Sequence, residues 1–343
     1  FSTVFALPTD KGSLVFALGC HKSKEFNNIS KFSGFNPNNN SMIQDLTFYN
    51  DDIPYNIGLS YGIFDDEDKW LYDTTHINGR LNQSGETLVE GDINTWSFAG
   101  AVEVAANVFV GGSVNYNTGN YKRDREYYED DTQGHYTDPT DPNDINTTDF
   151  KTFFVHDIID WEVSGWDAEV GFLYDFVNFI YLGATIKLPT KYTIRERYYV
   201  NSEAEYRNNF SYVGETTDSR IEYNISTPYE MSVGAAANLL ILLVSAQVDY
   251  IDYTQMKFSG GLTPDKVSNN NKTINDNFQA VLNYHLGAEL TIPFTEIRVR
   301  AGAMYLPSPY ENDPSDFYKV YLNAGAGFIA GESFVFDLAY SYG

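Results

Sequence analysis

The chain has 343 residues, with 22 basic and 47 acidic side chains and a formal net charge of −25. Such a charge would repel phosphate, which excludes a nucleic-acid binder working through a basic surface. The one cysteine, Cys20, excludes a disulfide framework and a multi-cysteine metal site. The 27 Tyr and 24 Phe suit a pleated β surface better than a helical or disordered chain. Length alone would suggest two or three soluble domains, at about 150 residues each.

No stretch offers the ~20 apolar residues of a spanning helix. The most apolar run, Ala235–Ala246, is interrupted by Asn238 and Ser245. Phe1 opens directly into strand-like sequence, with no signal-peptide pattern before it. A barrel remains open, because it crosses a membrane with a much weaker signal per segment.

In chain order, period-two alternation predicts strands at Phe1–Leu7, Leu14–Cys20, Trp96–Ala106, Val108–Tyr116, Trp166–Tyr174 and Ile180–Leu188. A long alternation then runs from Ile221 to Ala237. It sets Ile221, Tyr223, Ile225, Met231 and Val233 on one face, and Glu222, Asn224, Glu230 and Ser232 on the other. Further strands follow at Leu240–Tyr250, Phe278–Leu290, Glu296–Tyr305, Val320–Phe328 and Phe334–Tyr342. That is about twelve strands. Many reach the ~9–11 residues needed to cross a tilted bilayer. Their apolar faces carry no charge.

The connections alternate in length. Short ones fall at Pro8–Lys11, Asn107, Phe176–Asn178, Asn238–Leu239, Pro293–Phe294 and Ala330–Glu332. Long ones fall at Asn27–Asp92, Gly119–Lys151, Thr190–Ser219, Met256–Asn275 and Pro307–Phe317. Tight turns at one rim and large loops at the other are the layout of an outer-membrane barrel. Tyr116, Tyr174, Tyr250, Tyr305, Tyr340 and Tyr342 are placed for aromatic girdles. The expected fold is therefore all-β, a transmembrane antiparallel β-barrel, in place of soluble domains. A soluble sandwich would also alternate, but rarely with strands this long.

The first long loop carries helical spacing. Met42, Leu46, Tyr49 and Ile53 recur at i, i+4, i+7 and i+11, and Ile57, Tyr61 and Phe64 repeat it after Pro54. Phe48, Tyr55, Leu59 and Ile63 make these helices apolar on more than one face. Residues 41–64 are expected to form a helical lid, either receiving an apolar ligand or simply packing on the rim.

Arg298 and Arg300 fall on the lumen face with Glu296, His285, Glu289, Glu230, Glu222, Asp249, Asp337 and Lys187. A paired network is one reading. A grip on a ligand carboxylate is the other, with Arg195 and Arg197 as rival candidates. Glu129, Asp130, Asp131, Asp138, Asp141, Asp144 and Asp149 make an acidic loop, but not with EF-hand spacing. No catalytic motif and no cofactor motif is present, so no enzyme and no cofactor is expected.

Five stretches, Pro8–Gly19, Asn107–Ser113, Lys187–Ile194, Thr227–Ala235 and Arg298–Tyr305, together resemble the FadL/OmpP1/TodX family of outer-membrane hydrocarbon and fatty-acid channels. The resemblance spans nearly the whole chain. It implies a fourteen-strand barrel with an N-terminal hatch, placed in the outer membrane of a Gram-negative bacterium. By that comparison, the hatch and a final strand are missing from this chain. It further implies passive uptake of a hydrophobic small molecule through an extracellular lid site and sideways exit through the wall. The ligand-binding candidates are then Met42, Leu46, Phe48, Tyr49, Ile57, Tyr61, Phe64, Arg298 and Arg300. The expected surroundings are outer-membrane lipid and lipopolysaccharide, with no nucleic acid. The alternative is a non-transport barrel subunit of a larger outer-membrane or secretion assembly, with protein partners. A non-selective porin would need an open polar lumen and no apolar lid.

Overall fold

The structure, a computed structural model, describes residues 1–9, 12–137, 149–207, 210–330 and 334–343. Lys11, Asp138, Asp141 and Asp144 lie outside the described residues. The wall opens with β1 (Ser2–Leu7) and β2 (Leu14–Glu25). After it come β3 (Asn28–Phe35), α1 (Met42–Phe48), α2 (Asp52–Asn56), β4 (Tyr61–Phe64) and β5 (Trp70–Thr74). Three tall strands follow, β6 (Asn82–Ala105), β7 (Val108–Asp130) and β8 (Phe150–Phe176). Next are β9 (Ile180–Lys187), β10 (Lys191–Tyr206), β11 (Ser211–Val213), β12 (Thr217–Ser226) and β13 (Glu230–Leu239). The chain continues through β14 (Leu242–Asp252), β15 (Lys257–Ser259), α3 (Pro264–Asn277) and β16 (Ala280–Thr291). It ends with β17 (Ile297–Pro307), β18 (Tyr318–Ala330) and β19 (Phe334–Tyr342).

At membrane level twelve strands are neighbours in the order β1, β2, β6, β7, β8, β9, β13, β14, β16, β17, β18, β19, each antiparallel to the next. β1 and β19 do not pair with each other, so the wall is not closed. Eleven of these fall on alternating segments of the sequence, and the twelfth, β13, is the second half of the segment Ile221–Ala237, whose first half lies in β12. Among the described residues, tight turns join β6 to β7, β8 to β9, β13 to β14 and β16 to β17 at one rim. Asn107 makes one of these with φ 64, a left-handed conformation that asparagine tolerates.

The outer face shows where a bilayer would end. Cys20, Trp96, Tyr116 and Trp166 lie opposite one another across β2, β6, β7 and β8. Tyr116 and Trp166 are in ring contact at 4.5 Å. Below this row the outward side chains are apolar and exposed, among them Leu18, Phe98, Val114 and Phe172. The apolar face spans nine residues from Trp96 to Val104, which matches a tilted crossing. Above the row the outward residues turn polar, with Lys22, Asn94, Thr118 and Ser164.

The long loops of the sequence reading are shorter in the structure, because the strands continue far above the apolar belt. β6, β7, β8 and β10 carry the sheet through most of the segments read as loops. Within residues 41–64, helices form over Met42–Phe48 and Asp52–Asn56 only. Tyr61–Phe64, expected to be helical, is a strand paired with β5.

Two neighbouring strands break at the same height. Leu188–Thr190 separates β9 from β10, and Thr227–Tyr229 separates β12 from β13. Pro189 and Pro228 have no N–H for a ladder. The Thr227 amide still donates to the Thr190 carbonyl at 3.0 Å. The Thr190 amide donates to Thr227 Oγ1 at 2.9 Å. Lys187 pairs with Glu230 below the break, and Lys191 with Ser226 above it. Three residues on each strand are thus left out of the regular ladder. The odd number swaps the faces. Glu230 points into the lumen, whereas Glu222 points outward and pairs with Arg195. That corrects the lumenal placement of Glu222.

The dry core sits in the outer mouth of the barrel. Ile43, Ile57, Leu59, Ile77 and Leu81, from the connection between β3 and β6, pack on inward side chains of the tall strands. The strand partners include Phe150, Phe153, Val155, Val200, Ala204 and Tyr206. Each such large side chain contributes about 1.5–3 kcal/mol on burial, so this cap is held by a conventional core.

Candidate functional site

From the outer end inward, the mouth is built in layers. The lid comes first. Ser41 caps α1, its hydroxyl accepting from the Gln44 amide at 3.1 Å. Glu129 of β7 reaches the same helix start. Its carboxylate accepts from the Met42 amide at 2.8 Å, the Ile43 amide at 3.4 Å, Gln83 Nε2 at 2.9 Å and the Tyr127 hydroxyl at 2.8 Å. Burial raises the Glu129 carboxyl above its ordinary range, against the pull of these four donors. The Tyr206 hydroxyl donates to the Ile57 and Gly58 carbonyls and holds α2 to β10.

Asp131 closes the cap at its edge. It accepts from the His135 and Tyr136 amides and from Arg207 Nη2. Burial pushes its carboxyl up, but these donors prevail and hold it below its ordinary range. Glu129 and Asp131 are therefore engaged as structural acceptors. Among the described residues no cluster of His, Cys, Asp or Glu could hold a metal ion.

The lid residues proposed from sequence divide into two groups. Ile57 is fully buried in the core, with Met42 and Leu46 packed against it. Tyr61 donates to or accepts from His76 Nε2 at 2.8 Å. Phe48 and Tyr49 face outward, each 78% exposed, and Phe64 is also exposed. α1 lies beside β5, so Trp70, Leu71 and Tyr72 extend this outer aromatic surface.

Beneath the lid the inner wall carries a charged cluster that sequence reasoning missed. Arg123 Nη2 and Arg125 Nε both donate to the buried carboxylate of Asp157, at 2.7 and 2.6 Å. Two guanidinium groups share one carboxylate, and Arg123 Nε is buried with no partner. The cluster therefore carries an excess positive charge. Residue parity on β7 and β8 was the available signal, but Arg123 and Arg125 fall in the loop expected over Gly119–Lys151, and Asp157 lies before the strand expected at Trp166–Tyr174. Aromatic groups stand just below. Tyr121 and Trp161 are 4.9 Å apart. Trp161 Nε1 and the Tyr223 hydroxyl donate to Glu196 at 2.7 and 2.8 Å. Burial and then Glu196 push the Tyr223 phenol well up, so it stays a donor.

At the level of the aromatic row, Asp167 accepts from Asn115 at 2.7 Å and Asn117 at 2.8 Å, and from Thr190 at 3.2 Å. Below that lies a lumenal cavity of about 880 Å³. Its walls are largely small residues, among them Gly111, Gly171, Gly183, Gly234, Ala236 and Gly287. Polar points are few. Lys187 lies across from Glu169 on one side and Glu230 on the other. His285 Nε2 lies 2.7 Å from Asp249.

Arg298 and Arg300 are not near the lid. Arg300 binds Glu289 at 2.6 Å and also Asp337, and Arg298 lies 3.6 Å from Glu289. This is the paired network anticipated as one reading of the lumenal charges. Arg195 and Arg197 lie on the outer surface.

No protein-family model matches the chain, and no curated protein sequence does. Among solved structures the chain is similar to the Pseudomonas putida toluene transporter TodX, at 12% identity and a TM-score of 0.50, over 99% of this chain and 74% of that one. It is also similar to a Pseudomonas aeruginosa FadL homologue, at 11% identity and a TM-score of 0.50, over 97% of this chain and 82% of that one. At these identities the likeness establishes the fold, which is the barrel fold of those two proteins.

Proposed function

We propose that this barrel lies in the outer membrane of a Gram-negative bacterium and passes hydrophobic small molecules, such as hydrocarbons or long-chain fatty acids, without an energy source. The observation that carries the reading is the small-walled lumenal cavity, set against a wall whose outward face below Trp96 and Trp166 is uncharged. The fold shared with a toluene transporter supports it. An apolar molecule would first meet Phe48, Tyr49 and Phe64 on the lid. Met42, Leu46, Ile57 and Tyr61 hold that surface in place from behind. Longer chains gain roughly 0.8 kcal/mol per buried CH₂. A carboxylate end would be drawn to Arg123 and Arg125, since guanidinium matches it bidentately. No step in this reading is catalytic.

Filling the cavity tests the channel. Ala236→Trp, on the lumen side of β13, should lower uptake of a labelled apolar probe at least about tenfold, because the indole would stand in the cavity and narrow the path. Val233→Trp, on the lipid side of the same strand, should leave uptake near wild type. Equal uptake by both variants would sink the reading.

Exit sideways is proposed at the paired breaks, because the cavity reaches Lys187 and Glu230 directly beside them. A photoreactive alkyl probe supplied from outside should label Leu188 or Tyr229. Labelling confined to the tight turns would place the exit at the other end instead.

A further inference from the structure

The outer face of the lid carries apolar surface and negative charge together, and the channel reading gives a role only to the first. Residues 41–74 hold eight acidic side chains and one basic one, Lys69, a net charge of −7. Asp45, Asp52, Asp66, Glu67 and Asp68 are exposed. None of the eight carboxylates has a cation at ion-pair distance among the described residues. Such a concentration repels itself and attracts cations.

The apolar part has a defined build. β4 and β5 form a two-stranded hairpin of their own. Asp65 turns it, accepting from the Glu67 and Lys69 amides at 2.9 and 2.8 Å, so Asp66, Glu67 and Asp68 stand at its tip. Phe64 pairs with Trp70 at the base of this turn. Both rings lie over Gly62, where a Cβ would meet them at 3.0 and 3.2 Å. Trp70 Nε1 donates to Asp73 Oδ1 at 2.9 Å. An aromatic face with a carboxylate at its edge suits a guanidinium, which stacks on the one and pairs with the other. Leu71 and Tyr72 of β5, and Phe48 and Tyr49 at the end of the neighbouring α1, add to the exposed apolar surface. Six large side chains, each at least 45% exposed, offer more surface than one small molecule covers.

Lipid does not cover this face. Glu129, which holds the start of α1, is thirteen residues beyond Tyr116 of the aromatic row. At about 3.3 Å per residue on a strand tilted by about 45°, the lid stands roughly 30 Å above the row, beyond the acyl chains. Anionic lipopolysaccharide is repelled by the same charge.

We propose that the outer face of the lid docks a basic, amphipathic segment of a partner protein. An arginine of the partner stacks on Trp70 and pairs with Asp73, and its apolar side chains meet Phe48, Tyr49 and Tyr72. The aromatic surface selects the apolar side chains, and the carboxylates around it select a cationic carrier. The docking does not depend on what passes through the barrel.

Fluorescence anisotropy of the full chain in a non-ionic detergent at low ionic strength tests it. The probe is a labelled peptide alternating Arg with Phe and Leu. Wild type should bind it at least about tenfold more tightly than Phe48→Ser/Trp70→Ser, the loss expected for aromatic anchors. Asp66→Asn/Glu67→Gln/Asp68→Asn should lose as much, and high salt should erase its difference from wild type. Peptides with Gly in place of Phe and Leu, or with Glu in place of Arg, should each bind wild type at least about tenfold more weakly. Glu311→Gln/Asp316→Asn, two exposed carboxylates between β17 and β18, should behave as wild type. Heat-modifiable migration on gels checks that each variant is folded. Undiminished binding by the aromatic variant overturns the docking site and leaves only diffuse attraction. Undiminished binding by the charge variant overturns it too and leaves only apolar adhesion. Displacement of the peptide by benzyltrimethylammonium at matched concentration also overturns it, in favour of a small organic cation.

Discussion

Glu129→Ala is expected to free α1 from the barrel mouth. The substitution strands the Met42 and Ile43 amides, Gln83 Nε2 and the Tyr127 hydroxyl in a dry setting. Orphaned buried donors cost roughly 1–3 kcal/mol each, so the cap should lose about 3 kcal/mol or more. The helix start loses a negative charge as well, which opposes its dipole less favourably. Hydrogen exchange of the amides from Met42 to Tyr49 should accelerate by at least about a hundredfold, since each 1.4 kcal/mol is a factor of ten. Glu129→Gln keeps one acceptor oxygen and should sit between the two. Unchanged exchange in Glu129→Ala would mean that the apolar core alone holds the lid.

Asp157→Ala should also destabilise the mouth, for a different reason. It removes the one carboxylate that Arg123 and Arg125 share. Deleting one partner of a fully buried pair costs about 3–5 kcal/mol, and the partial exposure of Arg123 and Arg125 lets solvent screen the charge left behind, so about 1–3 kcal/mol is expected here. Chemical denaturation followed through cap proteolysis should show that loss. Asp157→Ala combined with Arg125→Met removes one of the two cations and should recover part of the stability. If the single variant were as stable as wild type, the cluster would be hydrated and open rather than dry. A carboxylate ligand should also stabilise Asp157→Ala more than wild type, since it replaces the missing anion.

The membrane wall was legible because lipid outside and a lumen of small and polar side chains inside impose opposite demands on alternate residues. From Trp96 to Val104 each outward position must be apolar, and parity alone reveals the strand. Above Trp96 that demand stops. Water meets the outside and the lid meets the inside, so Asn120, Lys122 and Asp124 on β7 read as a loop although they continue the strand. The paired breaks misled the reading more subtly. Alternation runs without a visible fault from Ile221 to Ala237, yet Tyr223 is buried in the mouth and Val233 is exposed on the lipid side. A kink of odd length at Pro228 changes sides without interrupting the pattern. The lid was legible as an apolar segment of helical spacing. Which of its residues face the core was not, because every side of it carries large apolar groups. Arg123, Arg125 and Asp157 lay hidden for the same reason as the upper strands.

The cap has a consequence for the order in which the protein assembles. The Tyr206 hydroxyl meets the Ile57 carbonyl across 149 residues of chain. The helices of the lid are made early, but the last surface they need comes only with β10. Until then Ile43, Ile57 and Leu59 have no dry partner, and a short helix such as α1 is marginal alone. Closing so distant a contact is slow, because loop entropy is lost before contacts reward it. The lid segment should therefore depend on holdase chaperones longer than the lower wall does, and it should be the last part of the chain to resist protease during assembly.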